Sequence, residues 1–193
     1  KILLDTDNKP KVESIIKDLH SADIAEIIEE LEENHAKTLF NLVNQEKSAL
    51  VLMEVEDDVR EFLLFDLSAK EIASEVIDNL ESDDAADIIA ELTEEKQEKV
   101  ISFIEDDEHA SDISDLLTYP EDSAGGLMAK ELIKVNENWN TFQCLKEMRK
   151  QASEVKEVHT IYVVSNSDML LGFLSLRKLL LVDTGTPIKN IIK

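Results

Sequence analysis

Two aspartates one helical turn apart are the residues of this sequence best suited to hold a metal ion. Asp83 and Asp87 stand four positions apart in a segment with helical periodicity, so both side chains project from one face. Like charges at this spacing cost about 0.2–0.5 kcal/mol unless a cation neutralises them. Mg²⁺ prefers carboxylate and carbonyl oxygens and keeps several waters. The pair therefore fits a magnesium site, and the alternative is an ordinary solvated helix surface.

Other side chains with ligating or catalytic chemistry lack suitable neighbours. The single cysteine, Cys144, lies on an apolar helical stripe, which predicts a buried, unreactive thiol and fits a reducing compartment. Four histidines show no metal-ligand spacing: His20, His35, His109 and His159. We therefore predict that the chain is not an enzyme.

The negative charge is concentrated in the first part of the chain. The net charge is −23; residues 1–118 contain 34 Asp and Glu against 10 Lys and Arg, and residues 119–193 contain 9 against 10. Such a surface repels phosphate backbones, which argues against nucleic acid as a partner, and attracts cations or basic proteins. Acids in first helical turns favour the helix dipole, which accounts for Asp23, Asp57, Asp58 and Asp106 without a ligand.

A twelve-residue repeat organises residues 19–117. Helices of this length are marginal alone, so the units must stack into a superhelix of about eight short helices. Ser21 and Ser82 stand where N-caps are expected, and the first dozen residues are expected to form a lead-in segment or fraying terminus. The interval is twelve residues, lengthened twice to thirteen, between these apolar positions: Leu19, Leu31, Val43, Val55, Leu67, Leu80, Leu92, Ile104 and Leu117.

The pattern changes at residues 119–128, which read Tyr-Pro-Glu-Asp-Ser-Ala-Gly-Gly-Leu-Met. Proline and the glycine pair disfavour helix, and the composition differs on either side, so this stretch predicts a domain junction. The predicted fold is α + α/β: an all-helical acidic repeat domain over 1–118, the junction, and an α/β domain over 129–193. The latter is expected to contain strands at 132–135, 160–164 and 170–174, with helices from about Asn140 to Ala152 and from Ser175 to Leu181.

This β-α-β-β-α order resembles a CBS motif, and the passage from Gly172 to Arg177 is similar to its closing signature. With the helical repeat and the junction, nearly the whole chain resembles the cytosolic part of the MgtE family of magnesium channels. The resemblance implies an N domain followed by the first CBS motif of an incomplete CBS pair. It also implies a soluble region on the cytoplasmic side of the plasma membrane, attached to a dimeric pore. A second CBS motif and about five membrane spans are expected outside these residues.

The resemblance also implies a regulatory function and a set of ligands. The family places regulatory Mg²⁺ between the N domain and the CBS pair, and Asp83 and Asp87 match acidic positions associated with those ions. Gly126 is implied as a contributor of a backbone carbonyl, whereas a further acidic position falls on Leu50. The implied function is magnesium-dependent association of N and CBS domains that gates the pore. The implied partners are Mg²⁺, the transmembrane pore of the same polypeptide, and a second subunit bound through the CBS domains.

Two other functions remain open from the sequence. An acidic helical superhelix can act as an interaction scaffold for a basic partner. A CBS motif can also bind an adenine nucleotide, although Lys178 stands where nucleotide-binding motifs tend to carry an aspartate. Magnesium protection without a protein partner would favour the sensor, and nucleotide protection would favour the last alternative.

Overall fold

A computed structural model of the chain describes residue 4 and residues 8–120, 122–151 and 160–193. The chain forms two compact units, Lys1–Met128 and Ala129–Lys193, called the N unit and the C unit below. Glu121 of the junction, the predicted helix end at Ala152, and His159 lie outside the described residues. Within those described ranges, no helix is both long and apolar enough to cross a membrane.

The N unit is a succession of short helices. Eight helical segments lie between residues 19 and 117, a range described without a gap, and no strand interrupts them; this confirms the all-helical prediction. In chain order the helices are α1 Lys9–Ile16, α2 Ser21–Glu29, α3 Glu33–Phe40, α4 Gln45–Glu54, α5 Asp57–Phe65, α6 Ala69–Glu71, α7 Ser82–Ala90, α8 Glu94–Ile101 and α9 Asp107–Leu116. Helix α6 continues as a π-helix over Ile72–Val76 and a 3₁₀ turn over Ile77–Asn79.

The π-helix explains one irregularity of the repeat. The interval from Leu67 to Leu80 is thirteen residues rather than twelve, and it contains the π-helical segment Ile72–Val76. A π-turn accommodates one extra residue within a helix. Ile72 and Val76 both stay buried, so the wider turn keeps the apolar positions facing the core despite the insertion.

One continuous core runs through the N unit and includes its first helix. Ile24, Leu52, Ile72 and Ile88 are among its fully buried side chains, each stabilising the fold by about 1.5–3 kcal/mol relative to exposure. Val12 and Ile16 of α1 are buried in the same core. The expected lead-in is therefore a packed helix over residues 9–16, because its apolar residues find the same core as the repeats.

The predicted N-caps at Ser21 and Ser82 are wrong by one residue. The capping residue of α2 is His20, whose Nδ1 accepts from the Ala22 N–H at 3.3 Å. The residue preceding α7 is Glu81, with extended backbone angles. Both serines are buried as first residues of their helices, where a small side chain lets the helix start approach the core.

The C unit is a three-stranded sheet with helices, in the predicted β-α-β-β-α order. Its elements are β1 Ile133–Asn136, α10 Thr141–Gln151, β2 Ile161–Val164, β3 Leu170–Leu174 and α11 Leu176–Leu181, followed by a 3₁₀ turn over Ile188–Asn190. β1 runs parallel to β2, and β2 pairs antiparallel with β3. The separate core of this unit contains Ile133, Ile161, Leu174 and Leu179. Ser175 caps α11 by accepting from the Lys178 N–H at 3.3 Å.

Candidate functional site

Helix α7 holds the two aspartates that the sequence singles out. Its apolar residues Ala85, Ile88 and Ile89 are buried, and this anchoring fixes the direction in which Asp83 and Asp87 project. The alternative, an ordinary solvated helix surface, describes Asp87 but not Asp83. Asp87 is exposed, whereas Asp83 is partly buried and its Oδ1 atom is buried without a hydrogen-bond partner.

The Asp83 Oδ1 atom is the feature of the N unit that best fits a cation ligand. A buried acceptor left unsatisfied costs about 1–3 kcal/mol, and more when it is charged. Residues 71–95 contain ten acids and no Lys or Arg, so this part of the chain supplies no basic side chain of its own. Carboxylate oxygens in such a setting fit Mg²⁺.

Around Asp83 and Asp87 the N unit offers few side chains that could bind a metal ion. Across the described ranges, no three His, Cys, Asp or Glu side chains are grouped to hold a metal ion. Asp83 and Asp87 can supply two carboxylates, and a magnesium ion bound there would retain water on its other positions. Leu50 of α4 is exposed, and its side chain has no atom that can bind an ion.

Gly126, the third predicted ligand, lies in a turn that follows α9. Ser123 organises this turn: its Oγ donates to the Pro120 carbonyl at 2.7 Å and accepts from the Gly126 N–H at 3.2 Å. A Cβ on Gly125 would collide with the ring of Tyr119, so that position requires glycine. The turn therefore fixes the backbone on both sides of Gly126. The residue remains a prediction as a ligand, as do Asp83 and Asp87.

Arg60 contacts the C-terminal end of α7, and the sequence analysis did not single out this residue. Its Nε donates to the Leu52 carbonyl at 2.6 Å and its Nη2 to the Val55 carbonyl at 3.0 Å, which satisfies the end of α4. Its Nη1 pairs with Asp57 and with Glu91, the residue that ends α7. An arginine among so many acids, at the fourth position of α5, was the signal available in the sequence.

A second acidic cluster lies where α9 begins. Burial raises the pKa of Asp78, electrostatic interaction with His109 lowers it, and Glu105 and Asp106 add to the rise. His109 Nε2 lies 3.3 Å from the Ile77 carbonyl oxygen. The Asp106 side chain caps α9 by accepting from the Glu108 and His109 N–H groups, at 2.8 and 3.2 Å. The Asp106 carboxylate therefore has a structural function as the cap of α9, one residue before the first turn in which the sequence placed it.

Cys144 is buried inside α10, and burial raises its pKa to about 11. A thiol with this pKa is almost entirely protonated at neutral pH, whereas the thiolate is the nucleophile. The predicted burial of the thiol is confirmed, and the raised pKa favours an unreactive side chain.

Comparison with known proteins agrees with this architecture. The sequence model of the MgtE intracellular N domain matches residues 19–122, and that of the CBS domain matches residues 124–185. The first match spans more than half of the chain. The chain belongs to the MgtE family. Among MgtE proteins with similar sequences, the magnesium transporter MgtE of Thermus thermophilus is 35% identical over 82 residues, 42% of this chain. That of Enterococcus faecalis is 31% identical over 85 residues, 44% of this chain.

These MgtE relatives are much longer than the matched segments, which span 18% and 19% of their lengths. Two solved structures share the fold over most of the chain. The crystal structure of the soluble part of a magnesium transporter has a TM-score of 0.80 at 23% identity, covering 99% of this chain and 75% of that one. The cytosolic domain of the Mg²⁺ channel MgtE in complex with ATP has a TM-score of 0.84 at 27% identity, covering 94% and 73%.

Proposed function

We propose that this chain is a magnesium-sensing regulatory region of an MgtE-type magnesium transporter. In this proposal Mg²⁺ binds at Asp83 and Asp87 of α7 and favours association of the N and CBS domains, which closes the pore of the same polypeptide. The observation that carries the proposal is the buried Asp83 Oδ1 atom, which has no hydrogen-bond partner. Family membership and the names of the similar MgtE proteins support the same function.

The proposed mechanism is electrostatic. Residues 1–118 carry a net charge of −24, so without divalent ions the N unit is self-repelling. Bound Mg²⁺ neutralises charge at α7 in the compact arrangement, and its different affinity for two arrangements is what shifts their populations. The pore, a second subunit joined through CBS domains, and a position at the cytoplasmic face of the plasma membrane belong to this proposal.

Magnesium should stabilise the folded protein beyond its effect as a salt. An ion that binds only the folded form, at ten times its dissociation constant, adds about 1.4 kcal/mol. For a chain of this size that raises the melting temperature by about 3–6 °C. Calorimetry in about 5 mM MgCl₂ and in about 15 mM NaCl, which have equal ionic strength, measures the difference. Equal shifts in the two salts would mean charge screening alone and would contradict the proposal.

Adenine-nucleotide binding by the C unit is a second candidate. One of the similar structures is an MgtE cytosolic domain in complex with ATP. Against it, Lys178 occupies the third position of α11. Adding ATP in the same calorimetry, without magnesium, tests this candidate: a raised melting temperature would support nucleotide binding, and an unchanged one would contradict it.

A further inference from the structure

Helix α5 carries aromatic rings on its outer face, where polar residues are usual. Phe65 is 78% exposed and Phe62 is partly buried. With Asp58 and Glu61 they stand at positions i, i+3, i+4 and i+7, so the four side chains form one continuous stripe. The neighbouring leucines at 63 and 64 are buried and already attach α5 to the core. The Phe65 ring is therefore not needed to hold the helix in place.

This stripe forms one wall of a groove whose other wall is α3. The groove has a volume of about 160 Å³ and is lined by Glu33 and Lys37 of α3 together with the four α5 side chains. Three of the six lining residues are acidic and two are aromatic. Such a surface suits a ligand that is both cationic and apolar.

The groove already holds one cation of the chain. The Lys37 Nζ atom lies 5.8 Å from the centroid of the Phe62 ring and pairs with Glu33 at 3.1 Å and Asp66 at 2.6 Å. No cation is found over the ring of Phe65 in the described parts of the chain. A cation over a phenylalanine ring with carboxylates beside it is a favourable arrangement. Lys37 makes this arrangement with Phe62, and Phe65 could accept a second cation in the same way.

We propose that the groove between α3 and α5 docks a basic amphipathic helix of a partner protein. A Lys or Arg of that helix lies over Phe65 and contacts Glu61, one helical turn away, while its apolar side chains cover the rings. The charge of −24 on residues 1–118 attracts such a helix, and the acidic and aromatic lining of the groove complements its basic and apolar faces. The groove does not include the aspartates of α7, so this interaction is separate from magnesium binding.

A synthetic fourteen-residue helix of leucine and lysine, arranged amphipathically and labelled with fluorescein, is the probe. We expect Phe65→Ala to weaken its binding about tenfold in fluorescence anisotropy at physiological salt, because an exposed aromatic anchor is lost. The matched control is Phe103→Ala, which removes a ring that is 47% exposed but lies outside the groove. It should change the affinity by less than about twofold. Phe65→Trp should restore the binding, because tryptophan is the best ring for a cation.

Two results would overturn the proposal. Equal affinities of the Phe65→Ala and Phe103→Ala variants, or equal binding of a peptide with the same residues in scrambled order, would mean attraction by bulk charge alone. Sedimentation that shows the chain forming a dimer, lost in Phe65→Ala, would assign the groove to a second copy of the chain. Circular dichroism of each variant verifies that the helices are retained.

Discussion

Replacing Arg60 by methionine should lower the free energy of unfolding of the N unit by about 2–4 kcal/mol. The Arg60 side chain is only 11% exposed, and its loss leaves the carbonyls of Leu52 and Val55 without donors at the end of α4. It also leaves the Glu91 carboxylate without this counter-ion at the end of α7. Methionine preserves most of the apolar stem, so the loss reports on the guanidinium. Urea unfolding followed by circular dichroism measures it.

The control for Arg60 is Lys99→Met. Lys99 donates to Glu95 at 2.6 Å one turn away on α8, and both side chains are largely exposed. Exposed pairs of this type contribute little to stability, so the unfolding midpoint should not change measurably. Arg60→Lys should recover only part of the loss, because an ammonium cannot reproduce the planar fork that reaches two carbonyls and a carboxylate. A midpoint shift as small as that of Lys99→Met would refute the structural function assigned to Arg60.

Removing charge from the aspartates of α7 should have opposite effects with and without magnesium. In magnesium-free buffer Asp83→Asn should stabilise the protein by about 1 kcal/mol, because the buried, unpartnered oxygen loses its charge. The double variant Asp83→Asn/Asp87→Asn should then lose the stabilisation by magnesium, about 1.4 kcal/mol at ten times the dissociation constant. Asparagine preserves the size and one carbonyl oxygen but lacks the charge that favours stripping water from Mg²⁺. Thermal unfolding across a magnesium titration measures both effects.

The matched double variant is Asp57→Asn/Asp58→Asn. These aspartates occupy the first turn of α5 as Asp83 does in α7, and both are exposed. Asp57 contacts Arg60 at 3.4 Å, so its replacement can change the basal stability, but it should leave the magnesium-dependent shift intact. If both double variants lost the same part of the stabilisation by magnesium, the ion would be acting through the overall charge of the protein. The assignment of the magnesium site to α7 would then have to be abandoned.

Much of the helical architecture could be predicted because it depends on regular burial. The recurrence of apolar residues from Leu19 to Leu117 predicted eight short helices, since each unit must bury its stripe against neighbours. Helix starts were less predictable. Ser21 and Ser82 have the chemistry of N-caps but are buried one position inside their helices, because packing against the core, rather than capping, selects a small residue there.

Contacts between distant parts of the chain could not be predicted from local patterns. The Lys47 Nζ atom donates to the carbonyls of Lys17 and Leu19, both at 2.8 Å, and the Lys96 Nζ atom donates to the Leu64 carbonyl at 3.1 Å. Each lysine thus satisfies the end of a helix about thirty residues earlier. From the sequence alone these lysines count only as positive charges. Their carbonyl partners could not be predicted, because they depend on how the helices stack. The burial of the Asp83 Oδ1 atom could not be predicted either, because it too depends on how the helices stack.

Paramagnetic broadening by Mn²⁺ tests most directly whether α7 holds a metal site. Mn²⁺ accepts the same oxygen ligands as Mg²⁺ and broadens the amide signals of nearby residues. With Mn²⁺ well below one equivalent, we predict that broadening concentrates around Asp83 and Asp87, that excess Mg²⁺ reverses it, and that Asp83→Asn/Asp87→Asn abolishes it. Equal broadening at the acidic first turns of α5, α7 and α9, unchanged in the double variant, would contradict the magnesium site and the sensing function built on it.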